Sequence, residues 1–345
     1  MDLGALLRPG GKRIPVLARG FSGTIYTVID PASGRPCALK VEKIMPGDER
    51  RPTSAYSMEA TFAEEVANKH PDSFVSMLHH WVEPGCKHVQ PQWDDDLPPA
   101  VRRNLRRLRD SPVCGVKMWS LVDTDVRKLF DRTPRRGKSA PPPPPPPPGA
   151  YRQLFVQLVH ALCIMRRNGY SHNDVHQGNV GLRRTGARTV DIDGKPFPTY
   201  SGYVVQLIDF GLVSRLTPKK DDTVELFADL FERLARPWWR IADAGRAPSE
   251  DWVSESRLAT VPPGARAELE RALPRGGAGL VPKHRALAIN KLYKVLHYED
   301  WQRATMGASF RKPIPPDSAY GELDLFLIVS KHLYNIEGLL KELLS

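Results

Sequence analysis

The sequence predicts an α+β protein of two lobes, the first small and mainly β with one helix, the second larger and mainly helical. Three observations predict it. Short β-type runs at 14–29, 37–43, 74–82 and 113–119 are separated by stretches rich in Gly, Pro and Asp. Later stretches repeat apolar residues at spacings of three and four, as in Leu154, Leu158, Leu162 and Met165. A chain of 345 residues is also long enough for about two lobes, each with its own core.

Residues 1–12 read as a tail. IPVLARGFSGTIYTVID, from Ile14 to Asp30, places Gly20 and Gly23 between two β-type runs, as a strand, glycine turn and strand would. Glycines at such a turn let backbone N–H groups approach a phosphate, although an ordinary hairpin turn has the same look. CALKVEK is a strand whose period of two puts Ala38, Lys40 and Glu42 on one face and Cys37, Leu39 and Val41 on the other. Thr53 to His70 reads as a helix with Ser or Thr available as its cap and Pro71 ending it. Phe62, Ala63 and Val66 run as an apolar stripe beside Glu59, and Glu64 and Glu65 lie on the same helix.

Phe74 to Val82 and Val113 to Trp119 are the next strands, with 83–112 between them as a surface insertion. Asp123 to Phe130 is a short helix. A Pro-rich linker insertion follows at 134–150, and its eight consecutive prolines, Pro141 to Pro148, form a polyproline II rod of about 25 Å. Such a rod is a spacer or a ligand for an SH3-, WW- or profilin-type partner. Tyr151 to Asn168 is a buried helix ended by Gly169.

That helix leads into YSHNDVHQGN, in which the carboxylate of Asp174 precedes the carboxamide of Asn179 in a polar turn. Val180 to Leu182 and Tyr203 to Ile208 are flanking strands joined by a long surface loop, and VVQLIDFGLV ends its β-branched run on Asp209, followed by Phe210 and Gly211. Asp222 heads a helix with Val224, Phe227, Leu230 and Leu234 as its stripe, where a carboxylate suits the cap and dipole. Beyond it, Ala286 to His297 and Leu323 to Leu344 are the clearest helices, and Trp238 and Trp239 are packing residues. Phosphoryl transfer needs an acceptor hydroxyl held in line and metal ions held against phosphates. One carboxylate for the hydroxyl proton, with one carboxamide and one carboxylate for Mg²⁺, meets that need.

HxD…N followed by DFG resembles the catalytic and metal-binding loops of the protein-kinase-like superfamily. Asn173 and His176 stand where most protein kinases have Arg and Lys. The HxDxHxxN form resembles haspin-like kinases, aminoglycoside and sugar kinases, and the serine/threonine kinases of large DNA viruses. The resemblance implies a bilobal protein-kinase-like fold, with an N-lobe over 13–121 and a C-lobe over 122–345. It implies ATP and Mg²⁺ as cofactors, Asp174 as catalytic base, and Asn179 and Asp209 as metal ligands. Lys40 would contact the α and β phosphates and pair with Glu59, with Glu64 and Glu65 as alternatives. Leu17, Gly20, Ser22, Gly23, Ile25, Ala38 and Met118 would surround the nucleotide, Ala18 standing where the first loop glycine is usual, and Ser120 to Asp123 would be the hinge.

By the same resemblance His172 orients the catalytic loop, His176 supports Asp174 or meets the γ-phosphate, and Asp222 anchors the loop. No APE motif and almost no room for an activation loop lie between Asp209 and Asp222, so regulation by activation-loop phosphorylation is not expected. The expected activity is transfer of the γ-phosphate to Ser/Thr hydroxyls of protein substrates. A small-molecule phosphotransferase of the aminoglycoside or sugar type is the alternative, and a pseudokinase scaffold a third.

The net charge of +11 is uneven: Arg102, Arg103, Arg106, Arg107 and Arg109 form one cluster, and Arg132, Arg135, Arg136 and Lys138 another. They are solvated faces or attract phosphate-bearing and acidic partners. No aromatic residues interleave them, which argues against a nucleic-acid partner. No apolar run reaches membrane-spanning length, and MDLGALLRPGGKR lacks the form of a secretory signal. Cys37, Cys86, Cys114 and Cys163 are far apart with no CxxC pair, so a reduced intracellular setting, cytoplasm or nucleus (of a host cell if the chain is viral), is expected, without disulfides.

Overall fold

Apolar and β-branched residues alternate through 23–29 and 36–44, and the sheet they build has both faces covered. The computed structural model of the chain describes residues 2–11, 14–19, 23–86, 108, 111–130, 149–217, 222, 223, 226, 325, 328, 329, 331, 332 and 334–345. The Pro-rich rod, both arginine clusters, most of the insertion at 83–112, Trp238, Trp239 and the helix expected at 286–297 lie outside them. The architecture mixes α and β around a five-stranded antiparallel sheet. The chain divides into two compact units, Met1–Leu129 with Asn179–Gly186 and Gly202–Ser214, and Phe130–Gly178 with Ala187–Ser201 and Arg215–Ser345.

In the first unit the sheet runs in the order β1-β2-β3-β5-β4, with β1 Val16–Arg19, β2 Gly23–Ile29, β3 Pro36–Ile44, β4 Met77–Pro84 and β5 Val113–Ser120. Its register sets Lys40 beside Ile25 on one side and Lys117 on the other. One face carries Tyr26, Val28, Leu39, Val41, Val116 and Met118, and α1, Leu3–Leu7, covers it with Leu3 and Leu7. The first residues are therefore not a tail. Asp2 caps α1 by accepting from the Gly4 N–H at 2.7 Å, and two leucines one turn apart are buried, each worth about 1.5–3 kcal/mol.

Against the opposite face lies α2, Ala55–Glu65, whose cap Ser54 accepts from the Ser57 N–H at 3.1 Å. It is shorter than the stretch read from the sequence, ending in a 3₁₀ turn at Ala67–Lys69. Phe62 of α2 packs with Phe74 and Phe210 at ring-centroid distances of 5.7 and 4.7 Å, and Trp119 meets Phe210 at 5.5 Å. A three-stranded sheet, β11-β8-β6, belongs to the same unit, built from β6 Thr124–Asp125, β8 Val180–Arg184 and β11 Tyr203–Leu207. It is tied to Phe74 by a parallel bridge at Leu207. A short helix, α3 Val126–Phe130, follows β6.

The cysteines correct another expectation. Cys86, just past β4, and Cys114, in β5, are bonded as a disulfide with Cα atoms 5.0 Å apart. Sequence spacing missed the pair because two neighbouring antiparallel strands bring residues 28 positions apart side by side. Cys37 and Cys163 are buried thiols, and burial pushes their pKa values up to about 11 and about 12.

In the second unit, α4 Ala150–Arg167 buries Leu154, Phe155, Leu158, Leu162 and Met165 and leads through Gly169 to β7, Tyr170–Ser171. The connection expected to be a plain loop contains a hairpin, β9 Thr189–Ile192 and β10 Lys195–Pro198. Its two-residue turn is Asp193 and Gly194, both at positive φ, and Ile192 is buried. The helix expected over 323–344 is broken. Leu325, Ile328, Val329 and Lys331 are helical, Tyr334 sits at φ 67°, and Asn335 caps a new helix, α5 Ile336–Leu344, by accepting from the Gly338 N–H at 3.0 Å. Among the described residues, no helix is long and apolar enough to cross a membrane.

Candidate active site

Period two on β3 sends Lys40 and Glu42 to the face on which α2 lies, and one turn of α2 beyond Tyr56 brings Glu59 to meet them. The Lys40 ammonium donates to both carboxylate oxygens of Glu59 at 3.2 Å and to Asp209 Oδ1 at 3.2 Å. Glu59 is thus the helix carboxylate that Lys40 meets, whereas Glu64 pairs with His80 at 3.2 Å. The Glu59 side chain is 1% exposed and the Asp209 side chain 47%. Asp209 follows β11 by way of Ile208 and holds φ 58°, a conformation that short polar side chains tolerate.

Asn179 stands at the neighbouring strand end, just before β8. Its carbonyl accepts from the Ile208 N–H at 3.0 Å, and the pairing of Val180 with Leu207 brings the Asn179 and Asp209 positions to one end of the β8–β11 pair. Among the described residues no three His, Cys, Asp or Glu side chains gather as a metal cage. Asn179 and Asp209 nonetheless supply hard oxygen donors in the small number Mg²⁺ takes from a protein when phosphates and water complete its shell.

Two charged residues of this cluster, Glu42 and Lys117, were not in the sequence reading of the site. Lys117 of β5 is fully buried, bonded to Glu42 and Glu59, with its ammonium 4.4 Å from the centroid of the Tyr56 ring. Tyr56 in turn donates to the Trp81 carbonyl at 2.9 Å. The available signal was a lysine inside the apolar run VCGVKMW and a glutamate sharing the face of Lys40. Burial by itself would lower the pKa of Lys40, but the carboxylates of Glu59, Asp209 and Glu42 raise it well above the ordinary lysine value. Burial by itself would raise Glu42, but Lys117 and then Lys40 hold it below the usual carboxylate range.

A group whose folded pKa is depressed contributes stability above its unfolded pKa and loses it as the pH falls through the folded one. Glu42 therefore makes the chain lose stability in acid below about pH 4.5. Glu42→Gln is expected to melt with a shallower dependence on pH than the unsubstituted chain. Melting temperatures followed from about pH 6 to about pH 3 check this, and parallel curves would contradict it.

Around the nucleotide-binding candidates, Ala18, Ile25, Ala38, Lys40 and Trp119 share one side of the sheet by register. Met118 does not join them: it faces the other way, into the core beneath α1, and Trp119 stands opposite Ala38 in its place. Leu17, beside the β1 irregularity, is 55% exposed. A Cβ on Gly23 would lie 2.4 Å from the Val41 carbonyl, so this glycine is required by close packing against β3. Gly20 and Ser22 lie outside the described residues.

Asp174 belongs to the second unit. Ahead of it, Asp222 accepts from the Ser171 hydroxyl at 3.0 Å, the His172 N–H at 3.1 Å and the Asn173 N–H at 3.0 Å. That carboxylate fixes the turn in which Asn173 adopts φ 61° and His172 is fully buried. The Asp174 side chain is 37% exposed, with His176 Nε2 at 3.7 Å. His176 Nδ1 accepts from the Gly178 N–H at 3.0 Å, which leaves the imidazole proton on Nε2, the nitrogen turned to Asp174. No protein-family model matches the chain, and no curated protein does.

Proposed function

We propose that this chain is an ATP- and Mg²⁺-dependent kinase of protein-kinase-like fold, moving the γ-phosphoryl group onto Ser or Thr hydroxyls of protein substrates. The observation that carries this reading is the meeting of Lys40 with Glu59 and with the half-exposed Asp209, 169 positions along the chain. A lysine held charged by two carboxylates, one of them open to solvent, suits contact with phosphates, and Asn179 and Asp209 would hold the metal. When bound, Mg²⁺ neutralises charge on the β- and γ-phosphate oxygens.

The acceptor oxygen bonds to the γ-phosphorus as the bond to the bridging oxygen of ADP breaks, and the hydroxyl proton passes to Asp174. His176 Nε2 lies 3.7 Å from the Asp174 carboxylate, and the N–H groups gathered by Asp222 keep the loop in shape. The purified chain with γ-labelled ATP and a mixture of protein, aminoglycoside and sugar acceptors tests this. Label in protein, including the chain itself, is the expected outcome. Label only in the small molecules would replace the acceptor class, and no transfer together with no Mg–ATP binding would overturn the reading.

A further inference from the structure

Lys117 lies directly across from Lys40 in the β3–β5 register, so two ammonium groups enter one buried space from neighbouring strands. Glu59 serves both, one of its oxygens bonding Lys117 and both bonding Lys40, while Glu42 bonds Lys117 and lies 4.0 Å from Lys40. An ammonium has three donors, and those of Lys40 are directed to Glu59 and Asp209. With Lys117 removed, Lys40 would face Glu42, Glu59 and Asp209 alone, and an unmatched buried carboxylate would compete for it.

We propose that Lys117 is a positioning residue: by matching Glu42 it keeps the Lys40 ammonium on Glu59 and Asp209, and by its bond to Glu59 and its seat over Tyr56 it holds α2 against the sheet. The site is thereby assembled by the strands themselves. This rests on the kinase reading above only in what Lys40 does there.

Lys117→Met, Glu42→Gln and the double variant, each in the full chain, test it with γ-labelled ATP and by melting. Lys117→Met is expected to lower kcat about 10²-fold, the cost of misplacing a contacting group by about 1 Å, with far less change in KM for ATP. Adding Glu42→Gln is expected to restore most of the activity and to raise the melting temperature above that of Lys117→Met, because the unmatched carboxylate is gone. Space-filling alone predicts the reverse, since a second buried substitution would add to the damage. If Lys117→Met does not fold, a folded and active double variant supports the proposal equally. A double variant no better than the single one, or a fully active Lys117→Met, overturns it. An unsubstituted chain that transfers no phosphate would overturn the kinase reading alone, and the order of the melting temperatures would still judge the charge matching.

Discussion

Replacing Asp174 with Asn is expected to lower phosphoryl transfer about 10²–10⁴-fold, the contribution of a positioned general base, while leaving Mg–ATP affinity unchanged. A carboxamide keeps the size and one acceptor oxygen of the carboxylate but takes up no proton from the acceptor. The turn survives the change, because its backbone N–H groups at His172 and Asn173 are bound to Asp222. The Lys40, Glu59 and Asp209 contacts lie in the other unit and are untouched. Transfer from γ-labelled ATP measures the first effect, and titration with a fluorescent nucleotide measures the second. A fully active variant would remove Asp174 from the role of base.

Lys40→Met is expected to damage stability and activity together. Its side chain is only 10% exposed and it shares Glu59 with Lys117, so its loss leaves the carboxylates of Glu42, Glu59 and Asp209 with one cation in place of two. Breaking a buried pair from one side costs about 3–5 kcal/mol, which lowers the melting temperature of a unit this size by roughly 6–20 °C. On the proposed function, transfer should fall by at least about 10²-fold, because the cation assigned there to the phosphates is gone. A melting scan and the same labelled assay decide it. An unchanged melting temperature would mean that the cluster is balanced without Lys40.

The sequence made legible what rests on short-range pattern. Alternation in CALKVEK separated the Lys40 face from the Leu39 face, and the stripe of Phe62, Ala63 and Val66 singled out Glu59 on α2. What it hid depends on register between distant strands. Lys117 meets Lys40 and Cys86 meets Cys114 only because β5 lies between β3 and β4, an order that a list of strands does not contain. The same register turned Met118 into the core and brought Trp119 opposite Ala38. The β9–β10 hairpin was readable in principle, from Asp193-Gly194 between β-type residues, but its Pro-rich return strand masked it. The packing of α1 was invisible for another reason: Leu3 and Leu7 are too few to show periodicity.

Arg167, at the end of the helix that leads to the Asp174 turn, grips two carboxylates in forked pairs. Asp193 is held at 2.7 and 2.8 Å, and Glu337, 170 positions downstream, at 2.9 and 2.7 Å. Bringing Glu337 to Arg167 costs the entropy of closing a loop of that length, and the cost precedes the reward of this non-local contact. One exposed guanidinium thereby ties the end of that helix both to the β9–β10 turn and to the first turn of α5, so three elements of the second unit share a single anchor.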